Sequence, residues 1–126
     1  MRCPCRKKTE TVAYADCCKP YHDGLRAAPT PETLMRSRYT AFALEKADYV
    51  LATWHPSTRP PRIEFTPGLE EWLQLKVISA REQGDEGEVE FVARSRVGGR
   101  SHQMHETSRF VREGGRWLYV SGVMKK

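Results

Sequence analysis

Four cysteines, Cys3, Cys5, Cys17 and Cys18, stand within the first 18 residues of this 126-residue chain, and the remainder holds none. Thiols gathered so tightly argue for one shared site. The opening residues, Met-Arg-Cys-Pro-Cys-Arg-Lys-Lys, lack the apolar run of a secretory signal. The expected address is therefore the cytoplasm, where thiols more often hold metal than form disulfides. Four thiolates can close a tetrahedral zinc site that is redox-inert and stabilises a small fold. Zinc on Cys3, Cys5, Cys17 and Cys18 is the expected cofactor. The spacing, C-x-C and then an adjacent pair, is tighter than the common C-x2-C knuckle. His22 is a substitute ligand should one member of the pair point away.

The other residues suited to chemistry concentrate between Thr33 and Pro56. Arg36, Tyr39, Asp48, Tyr49, Trp54 and His55 are the expected lining of a ligand pocket. Trp72, His105, Glu106 and Arg109 could reach the same cavity. His55 is the best general acid–base, because an imidazole titrates near neutrality. Each residue also has a plainer role. Tyr39 falls on an apolar helix face and reads as core. Asp48 reads as a cap or as the partner of Arg36 or Arg38, and the two arginines read as ion-pair donors or as anion clamps. Trp54 and Trp117 read as packing residues whose indole N–H bonds backbone, and His55 before Pro56 as a helix end. There is no nucleophile elbow, phosphate loop or H-E-x-x-H helix. No catalytic set is assigned and the sequence names no reaction.

The elements that must position these residues follow from periodicity. Thr30 can cap a helix, Pro31 suits its first position, and Glu32 complements its positive end. Met35, Tyr39 and Phe42 recur at helical spacing, flanked by Leu34, Ala41 and Ala43, with Arg36, Arg38, Glu45 and Lys46 off or at the edge of that face. Ala47, Val50, Leu51 and Trp54 form a second helical set after a bend near Glu45 to Asp48, and His55-Pro56 ends it. Ser57 to Pro67, with three prolines, reads as a loop, and Gly68 to Trp72 as a short helical turn. Period two then takes over. Leu73, Leu75 and Val77 share one face of a first strand, and Gly84 to Gly87 make a hairpin turn. Val89, Phe91, Ala93, Ser95 and Val97 share one face of a second strand. After Gly98-Gly99, a strand over Ser101 to Glu113 puts Met104, Glu106, Ser108 and Phe110 on one face and His105 and Arg109 on the other. Gly114-Gly115 leads to a last strand with Trp117 and Tyr119 on one face. Helices first and antiparallel hairpins after is an α+β layout.

At this length the chain is one domain with at most a small satellite. No apolar run is long enough to span a membrane. The formal net charge is +5, and +3 of it lies in the first 19 residues: Arg2, Arg6, Lys7, Lys8 and Lys19 against Glu10 and Asp16. Such an end suits an acidic protein or ribonucleoprotein partner, or a solvated tail. The aromatic platform of an RNA-recognition module is absent.

Cys3-Pro4-Cys5 followed by Cys17-Cys18 resembles the SEC-C motif, the zinc-binding element at the end of the SecA translocation ATPase. It departs from the motif's Cys-Pro-Cys-Gly-Ser-Gly by having Arg6-Lys7-Lys8, and by a longer spacer of 11 residues between Cys5 and Cys17. Tyr14-Ala-Asp-Cys-Cys, Tyr21-His-Asp-Gly, the block from Leu34 to Ser57 and the block from Ser108 to Gly122 together resemble the YchJ-like family of small bacterial proteins. That resemblance implies a SEC-C-like zinc element over residues 1–26. It also implies a nuclear transport factor 2-like (cystatin-like) domain over 27–126, a cone of helices on a curved antiparallel sheet. Two roles are expected ahead of a third, direct RNA binding through the cysteine knuckle. One is an interaction module docking through the zinc element, with a homodimer through the open sheet face as an assembly. The other is a small-molecule-binding domain, or an enzyme of isomerase, dehydratase or hydrolase type, working in the cone; this rests on fold analogy alone.

Overall fold

In the computed structural model, which describes residues 1–125, Thr30 caps the long helix as its sequence requires. The Thr30 hydroxyl accepts the Thr33 N–H at 3.1 Å at the start of α2 (Pro31–Ala43), and Pro31 fills the first helical position. Ahead of it the first residues form a lobe. Arg2 and Ala13 bridge antiparallel, a 3-10 turn runs over Tyr14–Asp16, and α1 (Lys19–His22) follows. Glu45, at φ 59°, makes the expected bend into α3 (Ala47–Ala52).

Four strands, β1 (Glu70–Gln83), β2 (Glu86–Val97), β3 (Arg100–Glu113) and β4 (Arg116–Met124), form one antiparallel sheet in the order β1-β2-β3-β4. The last two turns use Gly98-Gly99 and Gly114-Gly115, all at positive φ, the conformation tight hairpins need and glycine adopts freely. After α3 the chain runs beside β4. His55 N–H donates to the Tyr119 carbonyl at 2.7 Å and Tyr119 N–H to the Thr53 carbonyl at 2.8 Å. These bonds cover what would otherwise be an open sheet edge.

The sheet corrects two expectations. Gly68 to Trp72 is not a helical turn, because β1 already begins at Glu70 and pairs with Val97. Nor do Leu73, Leu75 and Val77 simply alternate. A register shift at Leu73 puts Trp72 opposite Ser95, so Trp72 joins Leu75 on the inner face, and a second shift follows Val77. Bulges of this kind bend a strand and raise its twist, which curls the sheet around the helices. The first hairpin turn is also tighter than the four residues expected, since Glu86 and Gly87 already belong to β2.

The inner face is Val89, Phe91, Ala93 and Ser95 on β2, Met104, Glu106, Ser108 and Phe110 on β3, and Trp117 and Tyr119 on β4. Its core members pack against α2. Gly87 permits the close approach of the helix start, because a Cβ there would collide with the Pro31 ring. The outer face carries ion pairs instead, among them Arg81–Glu88, Arg96–Glu71 and His105–Glu90.

One feature of α2 differs from its sequence pattern. Leu34, Met35, Ser37, Arg38, Tyr39, Thr40 and Ala41 are all buried, which is more than one face of a helix. The sheet covers one side and the cysteine lobe the other. Cys3, Cys5 and Cys18 belong to the same buried cluster as Leu34, Tyr39, Phe110 and Trp117. The lobe is thus packed into the domain rather than hung from it.

Candidate metal centre and cone cavity

The lobe's turns bring its thiols to one point. Cys5 Sγ lies 3.7 Å from Cys3, 3.6 Å from Cys17 and 3.7 Å from Cys18, and Cys17 and Cys18 are 3.9 Å apart. All four sulfurs fall within 4.8 Å of one another. A disulfide would need about 2.05 Å. A tetrahedral zinc with bonds of about 2.3 Å separates its sulfurs by about 3.8 Å, so the donor set fits that ion. Adjacent residues both contribute because Cys17 closes the 3-10 turn and Cys18 opens α1.

Electrostatics agree with the geometry. Hydrogen bonds from Cys18 and Cys5 hold the Cys3 thiol below its ordinary range, and the Cys3 and Cys5 bonds together with burial push Cys18 up. Cys5 is drawn down by Cys18 but raised more by Cys3, burial and neighbouring charge, and is pushed up to about 12. Four thiols this close, three of them buried, cannot all ionise unaided, and a divalent soft cation would remove that restraint. Arg6, which replaces the motif's first glycine, donates from Nε to Cys17 Sγ at 3.4 Å and offsets thiolate charge. By sequence Arg6 counts among the charges of a basic end; in the fold it faces the thiols.

His22 is not in the cluster. Its Nε2–H donates to the Ser37 carbonyl at 2.8 Å, and its Nδ1 accepts from Tyr14 O–H at 2.7 Å. Tyr49 O–H donates to Ser37 Oγ at 2.8 Å, and Ser37 donates on to the Leu34 carbonyl at 2.9 Å. This chain ties the lobe to α2 and α3. Burial holds the His22 imidazole below its ordinary range. The folded chain therefore keeps it neutral, while the unfolded chain takes up a proton below about pH 6.5. Its stabilisation is complete above that value and is lost as pH falls from there through the lower folded pKa. The melting temperature is expected to drop between pH 7 and pH 5, and to drop less in His22→Gln. Equal drops in the two proteins would remove His22 as a source of the acid sensitivity.

The expected pocket residues separate. Tyr39 and Trp54 line a cavity of about 230 Å³ between α2 and the inner sheet face, with Arg38, Phe42, Trp72, Glu106 and Tyr119 among the other walls. Asp48 and Tyr49 line a separate groove of about 410 Å³ with His22 and Trp117. Arg36 bonds Glu32 and the Cys5 carbonyl, both at 2.9 Å, and so braces the lobe. His55 pairs with Glu113 at 2.8 Å and bonds Ser57 at 2.7 Å. Asp48 caps nothing and pairs with neither arginine; it is exposed in the first turn of α3. The Trp54 indole donates to the Thr58 hydroxyl at 3.1 Å, and the buried Trp117 N–H has no partner among the described residues, so neither bonds backbone. Of the residues beyond the helices, Trp72 and Glu106 reach the cavity, while His105 bonds Glu90 at 2.7 Å on the outer face. Arg38, expected at the edge of the helix face, is 6% exposed. Its spacing from Leu34 and Ala41 is the signal that could have placed it inside.

Comparison with known proteins agrees on both parts. The model of the YchJ middle NTF2-like domain matches residues 30–122. A UPF0225 protein of Polaromonas naphthalenivorans is 50% identical over 95% of each chain. One of Methylibium petroleiphilum is 51% identical over 97% of this chain and 88% of its own. The solution structure of a SEC-C motif containing protein from Rhodopseudomonas palustris superposes with a TM-score of 0.84 at 36% identity, covering all of both chains. The crystal structure of a SEC-C motif containing protein from Psychrobacter arcticus gives 0.77 at 27% identity, over all of this chain and 84% of its own.

Proposed function

Since the chain belongs to the YchJ-like family, we propose that it binds one zinc ion through Cys3, Cys5, Cys17 and Cys18 and uses the zinc-held lobe to dock on an acidic protein or ribonucleoprotein. The observation that carries the metal is the sulfur geometry: four thiols at the spacing of a closed tetrahedral site, three of them fully buried. Such a site leaves no position for substrate, so its role is to fasten the lobe. Docking is supported by charge. Arg2, Lys7 and Lys8 are exposed and have no ion-pair partner among the described residues. The same three charges would serve a cytoplasmic protein whose partner is nucleic-acid bound. The outer sheet face, laced with ion pairs, suits solvent better than an apolar homodimer contact.

The test is zinc content and partner capture on the full chain. Wild type and the Arg2→Glu, Lys7→Glu, Lys8→Glu variant should each carry one zinc. Only the wild type should retain its partners, with retention falling as salt rises. A wild type without zinc ends the metal reading, and identical partners on both proteins end the docking reading.

A second reading is favoured by the aromatic cavity, which has the lining of a small-molecule site: apolar walls and a few placed polar groups. Of the expected chemistry, ligand binding is what this lining supports. The isomerase, dehydratase and hydrolase alternatives would need a base, and the cavity's one carboxylate, Glu106, would be it.

A further inference from the structure

Arg38 is a buried cation with no ion-pair partner among the described residues. It projects from the middle of α2 at 6% exposure. One terminal nitrogen donates to the Val50 carbonyl at 2.8 Å and to the Thr53 hydroxyl at 2.7 Å. The guanidinium lies 4.5 Å from the Tyr119 ring centre and 5.1 Å from that of Trp54, two rings set edge to face. These contacts fix its plane, and no carboxylate among the described residues forms an ion pair with it; Glu106 acts on it only from across the cavity. Glu106, the other charge on the cavity wall, is engaged by the Ser108 hydroxyl.

A guanidinium has five N–H donors. Nη1 uses its two, so Nε–H and the two on Nη2 have no protein acceptor among the described residues. Burying an uncompensated cation is costly, and here burial lowers the Arg38 pKa to about 10. A fold that keeps such a group against an apolar cavity has left a place for an anion. The planar edge of a guanidinium matches the two oxygens of a carboxylate. Arg38 balances one negative charge, so a monocarboxylate is accommodated beside Glu106, whereas the second charge of a phosphate dianion would have no cation to meet it. The remaining walls, Phe42, Trp54, Trp72 and Met104, suit a hydrocarbon or aromatic body.

We infer that the cone cavity binds a small apolar monocarboxylate, its carboxylate on the free donors of Arg38 and its body against Trp54, Trp72 and Phe42. This rests on the reading of the cavity as a small-molecule site and names the class of ligand. Nothing in it depends on the zinc lobe having a partner.

The experiment is ligand-observed NMR titration of the zinc-loaded full chain. The probes are a set of straight-chain and aryl acids, hexanoate, octanoate, benzoate and phenylacetate, each set against its primary amide, which has the same shape and no charge. Acids should bind at least tenfold more tightly than their amides, as loss of a charge-assisted hydrogen bond implies. Arg38→Gln should erase that preference. Met104→Trp, which fills the cavity and leaves Arg38 in place, should weaken acid and amide alike. Equal binding of acids and amides to the wild type would overturn the carboxylate assignment and leave the small-molecule site standing. Acid binding undiminished in Met104→Trp would place it outside the cavity and overturn the assignment as well. No binding by any member would remove both. The wild-type and Met104→Trp arms decide the matter even if Arg38→Gln does not fold.

Discussion

Replacing Cys5 by serine is expected to abolish zinc binding and to lower stability by roughly 3–5 kcal/mol, the range for losing a structural ligand together with its packing. Cys5 is the position to choose because its sulfur is within 3.7 Å of the other three and its residue is 1% exposed. The loss should spread beyond the lobe. The Cys5 carbonyl accepts from Arg36, and Cys3 Sγ lies 3.7 Å from the Thr40 hydroxyl, so the lobe forms one wall of α2. For a domain of this size the melting temperature should fall by about 10–20 °C. Wild type treated with a strong chelator should fall to nearly the same temperature, which separates the metal's contribution from that of the sulfur's packing. A chelated wild type that melts with the untreated protein would show that the fold holds its lobe without an ion.

The second large effect is expected at Phe110. It is 2% exposed, sits opposite Gly87 across the sheet, and meets the Tyr119 ring edge to face at 5.9 Å. Phe110→Ala should cost about 3–5 kcal/mol, because removing an aromatic ring loses its transfer energy and leaves a void. Collapse can recover little of it. The ring already borders the 230 Å³ cavity, and the strands around it are held by their ladders. Phe110→Leu, which keeps most of the volume, should cost about 1.5 kcal/mol or less. Denaturant unfolding with an unchanged slope would measure both. A Phe110→Ala loss under about 1 kcal/mol would mean that the ring packs loosely and the core lies elsewhere.

Much of this molecule could be read from its residues alone, because the features concerned are local. Thr30-Pro31 starts a helix wherever it sits, since the cap and the fixed proline φ act within a few residues. Gly98-Gly99 and Gly114-Gly115 turn the chain by their own conformational freedom. Alternation over Val89 to Val97 sets an inner and an outer face whatever the partner strand. The cysteine cluster was legible because four thiols so close in sequence cannot be far apart in space. The same residues and those blocks together carried the family resemblance.

What only the tertiary structure decided is which surfaces meet. The helical pattern of α2 has one apolar stripe, yet α3 and β4 close over a neighbouring side of the helix, so Arg38 is drawn inside although its type reads as surface. Its charge then becomes a feature of the cavity. Of the six residues expected around a pocket, Tyr39 and Trp54 share the cavity, Asp48 and Tyr49 share the groove, and Arg36 and His55 go to neither. Neighbours along a helix point to different sides every 100° or so, and the sequence does not say what stands on each side. The bulge that turns Trp72 inward has the same origin, for one extra residue exchanges the faces of a strand and packing against Tyr39 and Phe42 of α2 selects it. Arg6, six residues from the start and reading as one charge of a basic tail, became a donor to a thiol because the lobe folds back on itself.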